Sequence, residues 1–100
     1  MHEGRQRLDK WLWFARFAKT RTLAAKLVAD GSVRVNGARV ETPAKLVGPG
    51  DVLTVAAQHV TAVVRVVAPG ERRGPAPEAR LLYQELGRDD AALVTTPGSG

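Results

Sequence analysis

The sequence predicts an α+β domain: two N-terminal helices packed on a short, mainly antiparallel sheet, plus one C-terminal helix. Three observations predict it. Apolar residues recur at helical spacing over residues 8–17 and again over residues 21–29. Asn36-Gly37 separates two short valine-bearing runs, a strong short-range sign of a hairpin. Beyond it, valine-rich runs at residues 52–56 and 60–67 are bounded by Gly, Pro and Asp, as strands are.

One hundred residues suit a single small domain. A hydrophobic fraction of 44% fills one modest core, and with five aromatic residues most of that core must be aliphatic. The absence of cysteine excludes disulfides, thiolate metal sites and thiol catalysis, and suits a reducing cytoplasm. Two histidines, His2 and His59, do not make a zinc site. No apolar run approaches the length of a membrane span, and MHEGRQR lacks the apolar stretch of a signal peptide.

The charge is unevenly spread. Residues 1–39 hold nine Lys or Arg against three acids, a balance of +6; residues 40–100 hold six against seven, a balance of −1. The whole excess therefore falls on the first two helices and the hairpin, which points to a polyanionic partner.

In chain order, residues 1–6 are polar and read as a flexible arm. In the first helix, Leu8, Trp11, Leu12 and Ala15 share a core face, while Trp13 and Phe17 need a second cover from the C-terminal segment or a ligand. Asp9 lies in the first turn, where a carboxylate suits the helix dipole and can hold neighbouring cations in place. Thr20 is the expected N-cap of the second helix and Thr22 the competing choice, with Leu23, Ala24, Leu27 and Val28 facing inward. Lys19, Thr20 and Arg21 gather at that helix start, where backbone N–H groups favour a phosphate. Gly31 follows as a C′ glycine. Arg34 and Arg39 flank the hairpin turn, in which Asn36 is either a turn former or a ligand contact.

Residues 48–51 (GPGD) form a turn before the strand at 52–56, and the run at 60–67 pairs with it across a turn near Gln58-His59. Residues 68–77 are irregular and rich in Pro and Gly, residues 78–86 read as a third helix packing near Trp13 and Phe17, and residues 87–100 read as a disordered tail. The organisation is thus an arm at 1–6, a core at 7–56, an additional strand, loop and helix at 57–86, and a tail.

No nucleophile, base or metal cluster has catalytic spacing, and no phosphate-cradling P-loop occurs. The expectation is a non-enzymatic binding protein without cofactor or metal.

R-L-D-K at Arg7–Lys10, K-T-R at Lys19–Arg21, D-G-x-V-x-V-N-G at Asp30–Gly37 and P-G-D at Pro49–Asp51 resemble, in order and spacing, the S-four RNA-binding domain. The R-L-D-K-W-L-W opening and the R-R-G-P-A-P-E-A-R-L-L-Y run from Arg72 to Tyr83 make the chain similar to the bacterial heat-shock protein fifteen family. The resemblance implies a small cytoplasmic protein that binds ribosomal RNA of the large subunit and helps recycle stalled subunits carrying peptidyl-tRNA. It implies an RNA face of Arg7, Lys10, Lys19, Thr20, Arg21, Lys26, Arg34 and Asn36, to which position adds Arg16 and Arg39. It also implies a longer basic C-terminal helix, where this sequence has Asp89-Asp90 and a small-residue tail. The chain is expected to be a monomer. The competing readings are an accessory RNA-binding module for a modifying enzyme acting in trans, and a DNA-binding regulator.

Overall fold

The computed structural model describes residues 4–57 and 60–90. Gln6–Arg7 (β1) leads directly into helix α1, Leu8–Phe14. Helix α2 is Arg21–Ala29. Then come Val33–Val35 (β2), Ala38–Val40 (β3), Leu46–Val47 (β4), Val52–Ala57 (β5) and Val60–Val66 (β6). A single helical turn, Ala76–Ala79 (α3), runs through a 3₁₀ turn at Arg80–Leu82 into Tyr83–Asp90 (β7). Five strands form one antiparallel sheet in the order β3-β2-β5-β6-β7, and β1 pairs with β4 in a separate two-stranded ribbon.

The alternation of β2 and β5 decides which face is covered. Val33, Val35, Leu53 and Val55 are buried, and with Ala62, Val64 and Val66 of β6 they form the inner face. Leu8, Trp11, Leu12, Ala24 and Val28 of the two helices pack on it. Each fully buried Leu or Val contributes about 1.5–3 kcal/mol. Arg34 and Arg65 alternate with these residues and are exposed on the outer face. The hairpin turn is as expected: Asn36 (φ 53°) and Gly37 (φ 87°) take the paired positive φ of a type I′ turn.

Both helices end in the same hydrogen-bond pattern. In α2, Gly31 N–H donates to Val28 O (2.9 Å) and Ser32 N–H to Leu27 O (3.0 Å), with Gly31 at positive φ. In α1, Arg16 N–H donates to Trp13 O (3.1 Å) and Phe17 N–H to Leu12 O (2.9 Å), with Arg16 at φ 66°. An arginine therefore occupies the left-handed position usually given to glycine, which costs on the order of 1 kcal/mol. The reversal stops α1 at Phe14 rather than at residue 17. It swings Phe17 back onto Trp11 (ring centroids 6.1 Å apart) and Tyr83 (5.1 Å). Phe17 thus lies on the Trp11 side and is covered by the C-terminal segment.

Four expectations are corrected. Gln6 is no loose arm: it is in β1, and its amide pairs with the backbone of Gly70, donating to the carbonyl (2.9 Å) and accepting from the N–H (3.0 Å). The helix expected at 78–86 is cut short, because residues from Tyr83 onward pair with β6. Gly87–Asp90 belongs to that strand and not to a tail; residues 91–100, like the turn at Gln58-His59, lie outside the described residues. Leu23, expected in the core, is 46% exposed.

The Pro/Gly-rich segment is fastened rather than free. Trp11 Nε1 donates to Ala68 O (2.9 Å), Arg16 to Gly74 O (2.9 Å) and Arg73 to Ala18 O (3.4 Å). Together with the Gln6–Gly70 pair, these bonds lace residues 68–74 along α1.

Candidate nucleic-acid interface

The start of α1 is built by a distant segment. Leu8 N–H donates to Lys45 O (2.8 Å) and Asp9 N–H to Pro43 O (3.1 Å), so two of the helix's orphan donors are satisfied from outside. This holds Arg7, Asp9 and Lys10 in fixed positions beside the β1–β4 ribbon.

Asp9 is the pivot of the site. It is 3% exposed, the one buried charged residue among the described residues. Its Oδ1 accepts from Lys10 N–H (2.7 Å). Arg7 grips both oxygens, Nε to Oδ1 at 3.2 Å and Nη2 to Oδ2 at 3.0 Å. Arg21 Nη2, from the first turn of α2, lies 3.9 Å from Oδ1. A single buried carboxylate therefore draws together arginines from two elements, the role the sequence suggested for it. A two-point guanidinium–carboxylate pair is the stiffest contact available to a surface arginine. The hydrogen bond to Asp9 raises the Arg7 pKa above its ordinary value; the charge attraction adds to this and desolvation opposes it. Arg7 and Arg21 keep 48% and 43% of their side chains exposed, so both are oriented yet accessible.

Around this pair the remaining helix-side cations fall into place. Lys10 Nζ lies 5.6 Å from the centre of the Phe14 ring. Lys19 is exposed in the joint before α2. Thr20 is the N-cap: its Oγ1 accepts from Leu23 N–H (3.0 Å), leaving the hydroxyl proton to donate outward. Lys26 pairs with Asp30 along the exposed side of α2 (3.6 Å). Arg16 is partly diverted, since its guanidinium donates to Gly74 O.

Two expected contributors belong to a different place. Arg34 and Arg39 stand opposite each other across the hairpin at the outward positions of the sheet, and the Arg39 guanidinium reaches back over Gly31 at the end of α2. Asn36 is taken up internally: its amide donates to Asp51 Oδ1 (3.2 Å) and its Oδ1 accepts from Val52 N–H (2.9 Å). Asp51 in turn accepts from Gly48 N–H (2.9 Å). The N-G and P-G-D motifs are thus one structural unit, each turn holding the other. Lys45 escaped the sequence reading. It is exposed, and its carbonyl caps α1 beside Arg7, but only the non-local β1–β4 pairing brings it there.

Among the described residues no group of three or more His, Asp or Glu is placed to hold a metal ion. A concavity of about 240 Å³ lies between the 68–74 segment and α3; its Glu78 is tied to Arg72 (2.9 Å), whose pKa that bond raises. No described helix is long and apolar enough to cross a membrane.

Comparison with known proteins points the same way as the geometry. A family model of the S4 domain matches residues 6–53, which takes in the Asp9 cluster, both helices and the hairpin. The chain is 41% identical over 85 residues to the Heat shock protein 15 homolog of Haemophilus influenzae, covering 85% of this chain and 64% of that one. It is 48% identical over 79 residues to Heat shock protein 15 of Escherichia coli K12, covering 79% and 59%. The chain thus spans about 60% of the length of these curated relatives. The solved structure of Vibrio cholerae Heat Shock Protein 15, described as trimeric, superposes with a TM-score of 0.76 at 43% identity, covering 81% of each chain.

Proposed function

The chain belongs to the heat shock protein 15 family of S4-domain proteins, and on that premise we propose that it binds structured RNA without catalysis. The observation that carries this reading is the pair of half-exposed arginines, Arg7 and Arg21, oriented by one buried carboxylate and flanked by Lys10 and Lys19. Fixed, half-exposed guanidinia suit phosphate oxygens far better than a small substrate, which would need an enclosing pocket. Helix-side cations supply affinity by releasing counterions, so binding weakens as salt rises. Because an A-form duplex conceals its major-groove edges, selectivity comes from the shape of loops, junctions and backbone.

The favoured target is ribosomal RNA of the large subunit, with the protein acting on stalled subunits that carry peptidyl-tRNA in the cytoplasm. Family membership supports this finer reading. The expected RNA face is Arg7, Lys10, Lys19, Thr20, Arg21 and Lys26, with Lys45 added. The binding unit is taken as the single chain, since its helices and sheet complete one core; light scattering tests this against the trimer in which the Vibrio relative was solved.

The decisive experiment is co-sedimentation of the native chain and Arg21→Ala with purified ribosomal subunits at low and moderate salt. Selective migration with the large subunit that survives moderate salt and falls with Arg21→Ala supports the proposal. Equal migration with both subunits, lost at moderate salt, leaves only generic polyanion binding. Binding untouched by Arg21→Ala rejects the helix-side surface.

A further inference from the structure

The outer face of the sheet is covered by no described element. Its strand pairing sets out a definite pattern. Across one row, Arg39 stands opposite Arg34, Arg34 opposite Thr54, Thr54 opposite Val63, and Val63 opposite Gly87. In the neighbouring row Val52 stands opposite Arg65 and Arg65 opposite Gln84. Three arginines from three strands therefore point out of a floor made by Thr54, Val63, Gly87 and Ala56. Two strand spacings and a two-residue offset separate Arg34 from Arg65 by roughly 12 Å at their backbones, within reach of arginine side chains that lean toward a common ligand.

The charges on this face are not explained by the fold. Like charges directly opposite on neighbouring strands are destabilising, yet Arg34 faces Arg39 and makes no ion pair or hydrogen bond among the described residues. Arg39 reaches Glu41 (3.1 Å), and its guanidinium lies so close over Gly31 that any side chain at that position would collide with it. Arg65 is steadied only by Gln84 Oε1 at 3.4 Å. The outward positions of β2, β5 and β6 carry no acid; the acids on this face stand at its margins, Glu41 beside Arg39 and Asp89 at the register position opposite Thr61.

We propose that this outer sheet face is a second RNA-backbone contact, in which Arg34, Arg39 and Arg65 hold phosphates of a segment different from the one on the helix side. The proposal rests on the RNA-binding reading and extends it: Arg34 and Arg39 leave the helical surface, and Arg65, outside the S4-domain match, joins them. The domain then works as a wedge between two RNA segments. The low, small-sided floor lets a sugar–phosphate backbone come close while the guanidinia bind from its two sides.

The test uses the full chain and a labelled RNA hairpin with a single-stranded extension, with affinity measured between about 50 and 200 mM salt. Arg65→Gln and Arg34→Gln keep much of the aliphatic stem and remove the charge, and thermal melting checks that they fold. Each is expected to lower the salt slope by about one unit, equivalent to a roughly three-fold smaller loss of affinity over that salt range. The effect adds to that of Arg21→Ala, and Arg65→Lys restores the slope. If Arg21→Ala weakens binding while both Gln variants match the native chain, the sheet face is rejected and the helix-side reading stands. If the native chain binds neither this RNA nor the ribosomal subunit, both fall together. If Arg65→Gln changes the molecular mass in solution and not the salt slope, the face joins copies of the chain and the proposal is overturned.

Discussion

The arginines on the two sides of the core are held in opposite ways. On the helix side, Arg7 and Arg21 converge on Asp9, a carboxylate almost wholly removed from water. On the sheet side, Arg34 and Arg39 stand opposite each other, and the carboxylate that Arg39 reaches, Glu41, is 61% exposed. A buried acceptor orients a guanidinium strongly, whereas an exposed pair contributes little because water and salt screen it. The helix side is therefore built to present charge in one geometry. The sheet side leaves Arg34 without an ion pair among the described residues and holds Arg39 only through an exposed one.

Removing the pivot should break this contrast with the largest effect. Asp9→Ala deletes a buried acceptor that serves Lys10 N–H and Arg7, together with the charge that Arg21 approaches to 3.9 Å. The expected loss is about 2–3 kcal/mol of stability, a fall in Tm on the order of 10 °C for a domain of this size. RNA affinity should drop with it even at temperatures where the variant is folded, since Arg7 and Arg21 lose their shared orientation. Unchanged affinity in a folded Asp9→Ala would show that the pivot is structural only.

Asn36→Ala comes next, and separates fold from binding. Its amide joins the hairpin turn to Asp51 and to the start of β5 at Val52, one hydrogen bond to each, so stability should fall by about 1 kcal/mol while the salt slope of RNA binding stays unchanged. A change of slope would return Asn36 to the interface. Arg34→Ala should behave in the reverse sense: binding weakens, and stability holds or rises by about 0.2–0.5 kcal/mol as the opposition to Arg39 is relieved. Chemical denaturation read beside RNA titration checks both. The smallest effect belongs to Glu41→Gln, which releases Arg39 with less than about 0.5 kcal/mol change in stability and a slight gain in RNA affinity.

The same contrast shows what can be read from sequence. Local chemistry was legible. Asn36-Gly37 specified its turn, Thr20 its cap, and Asp9 its neighbours, because each acts within a few residues. What failed was decided by partners far along the chain. Leu81, Leu82 and Leu86 carry a helical spacing, but β6 offers an unpaired edge, and Tyr83–Asp90 takes it with a bulge between Val63 and Val64. Long-range pairing overrides a weak local period. Gln6 looked like arm because nothing nearby reveals the Gly70 backbone that its amide meets. Within the site, the helix-side cluster was legible for the same reason as the caps. The separation of Arg34 and Arg39 from it was not, since the side of a sheet a residue occupies depends on which face the helices cover. The place of Arg16 was not legible either: arginine at φ 66° closing a helix carries no sequence signature, and its bond to Gly74 connects residues far apart in the chain.

Helix α1 takes its first two backbone acceptors from Lys45 and Pro43, and its flank from Ala68 and Gly70. During synthesis those acceptors do not yet exist when Leu8–Phe14 emerges. A helix of seven residues is too short to persist alone. The growing chain therefore has its cations but no ordered surface until Gly70 has been made. The ordered arrangement of Arg7, Asp9 and Lys10 at the start of α1 therefore forms late, once Lys45, Pro43 and Gly70 are all present.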